Sequence, residues 1–230
     1  MFFDPMYMLL LLVTGGLSMF AQLKVKSAFS KWSKVGTRGG RTGAMVARQI
    51  LEQSGIYDVQ VEKVGGFLSD HYDPRTRTLR LSPQVYDSTS VAAVGVAAHE
   101  VGHAIQHARA YWPLQVRSFL APAAAFGGNI SMFVIMGGAL LSMFGLIKIG
   151  IALFAVTVAF VLITLPVEFD ASNRAKALLP QLGITQGEEG RGVASVLNAA
   201  ALTYLAAAIA AVGQLLYFLM RFGLLGSRND

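Results

Sequence analysis

Four long stretches of this chain contain no Asp, Glu, Lys, Arg or His: Pro5–Leu23, Ser118–Ile147, Ile149–Val167 and Gly192–Met220. Each reaches or exceeds the roughly 18 apolar residues that read as a bilayer-spanning helix. Hydrocarbon offers no hydrogen bonds to backbone, so such segments must close their own ladder as helices. The alternative, four core helices of a soluble protein, fails on size. The rest of a 230-residue chain is too small to enclose them. The expected class is therefore a mainly α membrane protein with four transmembrane helices. Only 14% of the residues are charged, against about 25% in soluble domains.

Charge sets the orientation. The first span has no positive charge before it and no small-residue cleavage site, so it reads as an uncleaved anchor rather than a signal peptide. With four spans, Gln22–Arg117 and Glu168–Arg191 share one side and carry thirteen and three Lys/Arg, while Lys148, Arg221 and Arg228 lie on the other. Positive residues favour the cytoplasm, which puts the N-terminus outside and the larger polar region inside, in a plasma (inner) membrane protein. The basic run Lys24–Arg41 abuts the first span and suits anionic headgroups better than nucleic acid. No nucleic-acid partner is expected.

Between the first two spans the pattern changes. Thr42 is placed to cap an amphipathic helix, GAMVARQILEQ, with Ala44, Ala47, Ile50 and Leu51 on one face and Gly55 beyond its end. Val59, Val61 and the pair Phe67-Leu68 suggest strands. Asp73-Pro74 suggests a tight turn, with Leu79 and Leu81 in a returning strand, so a β-hairpin is expected. Its edge is a candidate for pairing with an extended peptide. A helix capped from among Asp87, Ser88 and Ser90 should then run to about Tyr111, before Pro113. A short loop at Lys148 should separate spans two and three. PQLGITQGEEGRG reads as a loop, with span four beginning near Ala194.

The helix before Pro113 carries the chemistry: His99-Glu100-Val101-Gly102-His103. Residues four apart lie one turn apart on one helix face, so His99 and His103 can grip one tetrahedral Zn²⁺. Glu100 points to the side of that face, where it can act as general base toward an attacking water. The chain has no cysteine, so a transition metal must rest on His, Asp or Glu. His107 shares the face but lies about 12 Å along the axis from His99, too far for the same ion with bonds of about 2 Å. It is expected to pack or to support a ligand.

Topology narrows the third ligand. Spans two and three form a membrane hairpin, so residues after span three return to the side of the zinc helix. Of these, Glu188 and Glu189 lie in the glycine-rich loop and read as solvated. Glu168 is favoured over Asp170, because Ala171 and Ser172 would let its helix approach closely, whereas Asp170 lies about 200° round the same helix. His71, Tyr72, Asn173 and Arg174 are candidates to stabilise the oxyanion of a transition state.

These residues carry a family resemblance over nearly the whole chain. HEVGH, a two-span hairpin, PVEFDAS, and DHYDP at Asp70–Pro74 resemble the YugP-like neutral zinc metallopeptidases. The arrangement is also similar to the HtpX-type and CAAX prenyl membrane proteases, whose second motif reads Glu-x-x-Ala-Asp. Glu168 and Ala171 match it; Ser172 stands where the Asp would be. That Asp orients a ligand histidine, so the departure leaves this role open to Asp170 or Asp73. The resemblance implies a membrane gluzincin with His99, His103 and Glu168 on Zn²⁺ and Glu100 as general base.

The reading that follows is a membrane zinc endopeptidase (HExxH type) acting on membrane or membrane-adjacent polypeptides. Its expected layout starts with transmembrane helix 1 at 1–25. A cytoplasmic zincin-like α+β region follows at 26–117, then a transmembrane hairpin at 118–167. Next come a cytoplasmic helix and loop with the third ligand at 168–193, helix 4 at 194–220 and a tail at 221–230. The rival class is a zinc-stabilised membrane scaffold without turnover, which needs both histidines but not Glu100. A channel or transporter is disfavoured, because the spans hold no ionisable residue of the kind that marks an ion path.

Overall fold

The computed structural model describes residues 4–66 and 69–224. The expected strand at Phe67-Leu68 and the last residues of the tail lie outside them. The elements are helices α1 (Pro5–Trp32), α2 (Gly43–Gln53), α3 (Pro83–Tyr86), α4 (Val91–Ala108), α5 (Trp112–Leu140), α6 (Phe144–Gln181) and α7 (Glu188–Arg221), with strands β1 (Gln60–Lys63), β2 (His71–Asp73) and β3 (Thr78–Leu81). The fold is mainly helical, and α1, α5, α6 and α7 are each long and apolar enough to cross a membrane.

The chain forms two compact units. One comprises the N-terminal part of α1, the span Gln115–Leu165 and the C-terminal part of α7. Here α5 and α6 touch through glycines: a Cβ on Gly150 would lie 2.9 Å from the Ile135 backbone nitrogen, and one on Gly127 would lie 2.8 Å from the Leu153 carbonyl. Small residues at such crossings bring apolar helices to van der Waals contact, which drives their packing in lipid. The connection between these helices is the turn Leu141–Met143, closed by Met143 N–H donating to the Gly138 carbonyl at 2.8 Å. Lys148, expected in that loop, is instead in the first turns of α6. A charge does not break a helix, whereas Ser142 at φ 55° does.

The second unit, Ala21–Leu114 with Pro166–Leu202, contains all the candidate site residues. Its core is built around α4. Val91, Val94, Ala97, Ala98 and Val101 are fully buried, packed with Val46, Ala47 and Ile50 of α2 and Leu79 and Leu81 of β3. The caps form as the sequence predicts: the Thr42 hydroxyl accepts from Met45 N–H, and the Ser90 hydroxyl from Ala93 N–H at 3.2 Å. Gly55 takes φ 73° after α2. Helix α4 stops at Ala108, before the expected Tyr111, because Ala110 turns to φ 51°.

The sheet has three strands in the order β1-β3-β2. The expected hairpin is β2-β3, with Tyr72 opposite Leu79 and the turn following Asp73. β1 joins β3 in parallel, Val61 opposite Leu79, a pairing that alternation alone could not reveal. Of the acidic pair, Glu188 is exposed as expected and Glu189 is not. Helix α7 starts at Glu188, and Glu189 is buried, accepting from the Arg38 N–H at 2.9 Å and the Gln186 N–H at 3.4 Å. Acidic side chains at a helix N-terminus satisfy its free N–H groups and its dipole.

Gly102 fixes the approach of α4 to α6. A Cβ there would lie 2.7 Å from the Ala171 carbonyl oxygen and 2.9 Å from its Cα. That is backbone against backbone, with no flexible side chain to yield. Gly102→Ala is therefore expected to destabilise the protein by about 1–3 kcal/mol and to weaken zinc binding. Gly190→Ala, with open space round it, should be neutral or stabilising through helix propensity. Denaturation of both variants in detergent checks this.

Candidate metal centre

Helix α4 presents His99 and His103 on one face, and α6 brings Glu168 to them one turn from the Gly102–Ala171 contact. Glu168 Oε2 lies 3.3 Å from His99 Nε2 and 3.6 Å from His103 Nε2. One donor atom from each of the three residues falls within 4.8 Å of the others. The set fits zinc. Two bonds of about 2.0–2.1 Å at the tetrahedral angle hold donor atoms about 3.3 Å apart. Glu168 is 3% exposed and His103 8%, an arrangement of nitrogen and carboxylate donors withdrawn from water.

Hydrogen bonds fix which nitrogen faces the centre. Gln106, fully buried, donates from Nε2 to the Val167 carbonyl and to Asp170 Oδ2, both at 2.8 Å. Its amide orientation is thereby set, and Oε1 faces His103 Nδ1 at 3.0 Å. An amide oxygen only accepts, so His103 carries its proton on Nδ1 and turns the Nε2 lone pair toward Glu168. Arg174 Nε donates to Asp170 Oδ2 at 2.6 Å and completes the chain. For His99, the Nδ1 partner is Ser172 Oγ at 3.1 Å. The serine at the Asp position of the related motif thus holds the histidine itself. Asp170 reaches His103 through Gln106. Asp73 reaches neither: it binds Arg75 N–H, Thr76 and Arg80 in the hairpin turn. Burial disfavours a charged His103, but the adjacent Glu168 carboxylate, with Glu100 and Gln106, outweighs it and holds the imidazole above its ordinary value. Protons and a metal cation therefore compete for this nitrogen.

Glu100 is buried, about 100° round the helix from His99, and its charge also favours protonated His103. His107 stands apart from the three donors, with its Nδ1 2.8 Å from the Tyr72 hydroxyl. Burial pushes the Tyr72 phenol up, so it keeps its proton at neutral pH. Of the other oxyanion candidates, His71 is exposed and bonded to the Ser69 carbonyl, Asn173 is exposed, and Arg174 is engaged by Asp170. The DHYDP stretch is largely structural: Asp70 accepts from the Ser82 N–H and hydroxyl, and Asp73 closes the turn. Sequence reasoning missed Gln106. Its position three residues after His103, on the same face, was the available signal.

No solved structure matches the chain. The "Putative membrane protease YugP" of Bacillus subtilis (strain 168) is 49% identical over 217 residues, covering 94% of this chain and 96% of that protein. The family described as "Putative neutral zinc metallopeptidase" matches residues 7–223, which include every residue of the centre. A membrane-length helical scaffold, a zinc-compatible donor set and a match across almost the whole length lead to one conclusion: the chain belongs to this zinc metallopeptidase family.

Proposed function

We propose that the protein is a membrane-embedded zinc metalloendopeptidase in which His99, His103 and Glu168 hold the metal and Glu100 is the general base. The observation that carries this reading is the convergence of three donors from α4 and α6, far apart in sequence, within 4.8 Å of one another, with Glu168 Oε2 close to a tetrahedral edge from both imidazoles. Zinc, when bound, supplies a Lewis acid that brings the pKa of water down to about 7. The chain's own residues do the rest. Gln106 and Ser172 hold the two imidazoles in register through Nδ1. Glu100, on the flank of the same face, takes the proton of the attacking water and delivers it to the leaving amine. The substrate is an extended polypeptide segment at or near the membrane, laid along the free edge of β2, which is terminal in the sheet order.

The unit containing α2, α4 and the sheet serves as a zincin-like cytoplasmic region in this reading. The excess of Lys/Arg between Gln22 and Arg117 supports that side. The domain layout follows the four spans, with the N-terminus outside. Purified protein in detergent should contain about one zinc per chain, as a single tetrahedral site requires. It should cleave casein, lose that activity to a zinc chelator and regain it with zinc. Full zinc content with no cleavage of any polypeptide overturns the peptidase reading in favour of the scaffold.

A further inference from the structure

The second unit contains a cavity of about 240 Å³ against the last turns of α4. Its helical wall is Ala104, His107 and Ala108 of α4. Ile56 and Val59, from the chain leading into β1, line it with Tyr72 of β2. The cavity is smaller than the roughly 300–1,000 Å³ of a small-molecule site, so it suits one side chain rather than a free metabolite.

Its position relates it to catalysis. Glu100, Ala104 and His107 are spaced i, i+4, i+7, so they form one row on α4. Ala104 lies about 6 Å along the axis from Glu100. An extended peptide advances about 3.3 Å per residue. A peptide whose carbonyl meets Glu100 therefore sets a side chain over the cavity within two residues of the scissile bond. We propose that this cavity is a specificity subsite for a large uncharged side chain of the substrate. The inference rests on the peptidase reading above.

The lining explains the selectivity. Asp58 and Arg77, which also line the cavity, form an ion pair, both more than half exposed, so their charges answer each other at the wet mouth. Tyr72 and His107 likewise satisfy each other. A charged substrate side chain entering would find no free counter-ion and would lose its hydration. A large apolar or aromatic side chain would fill the space and cover Val59 and Ala108, the apolar lining residues that are not already buried. A small side chain would leave the space unfilled.

The test uses the full-length zinc-loaded protein in detergent and a bond mapped in casein. Peptides of that sequence carry Phe, Leu, Ala, Asp or Lys, one position at a time, within two residues of the cleaved bond. At one position, kcat/KM for Phe or Leu should exceed that for Ala, Asp and Lys by about tenfold or more. Ala108→Leu, at an exposed helix position, narrows the cavity. It should lower kcat/KM for the Phe peptide to about that of the Ala peptide, with zinc content unchanged. Val59→Phe, from the opposite wall, should do the same. Equal rates across the panel, or a preference untouched by both variants, overturns the subsite alone. Zinc-loaded protein that cleaves none of the peptides, nor casein, overturns the peptidase reading and the subsite with it.

Discussion

Glu100→Gln should leave about one zinc per chain, as the single site requires, and lower casein cleavage by about 10²–10⁴-fold, the usual worth of a positioned general base. The substitution keeps the size of a side chain that is 8% exposed, so the packing of α4 has no reason to change. It removes the carboxylate that can accept a proton. An amide oxygen still hydrogen-bonds water but does not take its proton at neutral pH. The three proposed metal donors are untouched, since Glu100 is not among them. Loss of its charge also removes one of the influences that favour protonated His103, so zinc should bind no more weakly than in the parent. The scaffold reading makes the opposite forecast, because a structural zinc site needs no base. Cleavage within a few-fold of the parent would sink the catalytic assignment while leaving the metal site standing.

How much of this was visible in the sequence depended on whether a feature is local. The pair His99 and His103 is a matter of helix pitch, and α4 is a regular helix from a serine cap, so the four-residue spacing sufficed. Glu168 needed one further step, the return of the chain after a two-helix hairpin, together with small residues that permit close approach. The contact is indeed made through Gly102 and Ala171. What could not be read were partnerships set by tertiary packing. Gln106 is defined by the Val167 carbonyl and Asp170 on another helix. Ser172 looked like a loss because it lacks the carboxylate of the related motif, yet a hydroxyl at 3.1 Å supports His99 Nδ1. Glu189 looked solvated because glycines flank it, and it is buried as the acceptor of a backbone group 151 residues away in the chain. The parallel β1-β3 pairing is likewise non-local, and no alternation of side chains distinguishes it from a hairpin.

Glu168→Ala should abolish stoichiometric zinc, whereas Asp170→Ala should only weaken it. The two carboxylates are two residues apart on α6 and face different partners. Glu168 Oε2 addresses both imidazole Nε2 atoms. Asp170 addresses Gln106 and Arg174, and so touches the metal donors only through the amide that holds His103. Removing Glu168 leaves two nitrogens, one short of the three protein ligands of a catalytic zinc site. The loss should exceed the 10–100-fold that removal of an outer partner costs. Removing Asp170 frees one donor of Gln106, whose amide can then turn. The Nδ1 tautomer of His103 is less firmly held, and zinc affinity should fall within that ~10–100-fold range. Competition with a chromogenic chelator, measured on both variants in detergent, separates the cases. Full zinc in Glu168→Ala with loss in Asp170→Ala would reverse the assignment and make the carboxylate beside Gln106 the ligand. A conservative control sharpens the result: Glu168→Gln keeps an oxygen in place but loses its charge, and should still bind zinc far more weakly than Asp170→Ala. A difference in that direction places the requirement at Glu168 on its anionic carboxylate, because in Asp170→Ala the His99, His103 and Glu168 donors all remain.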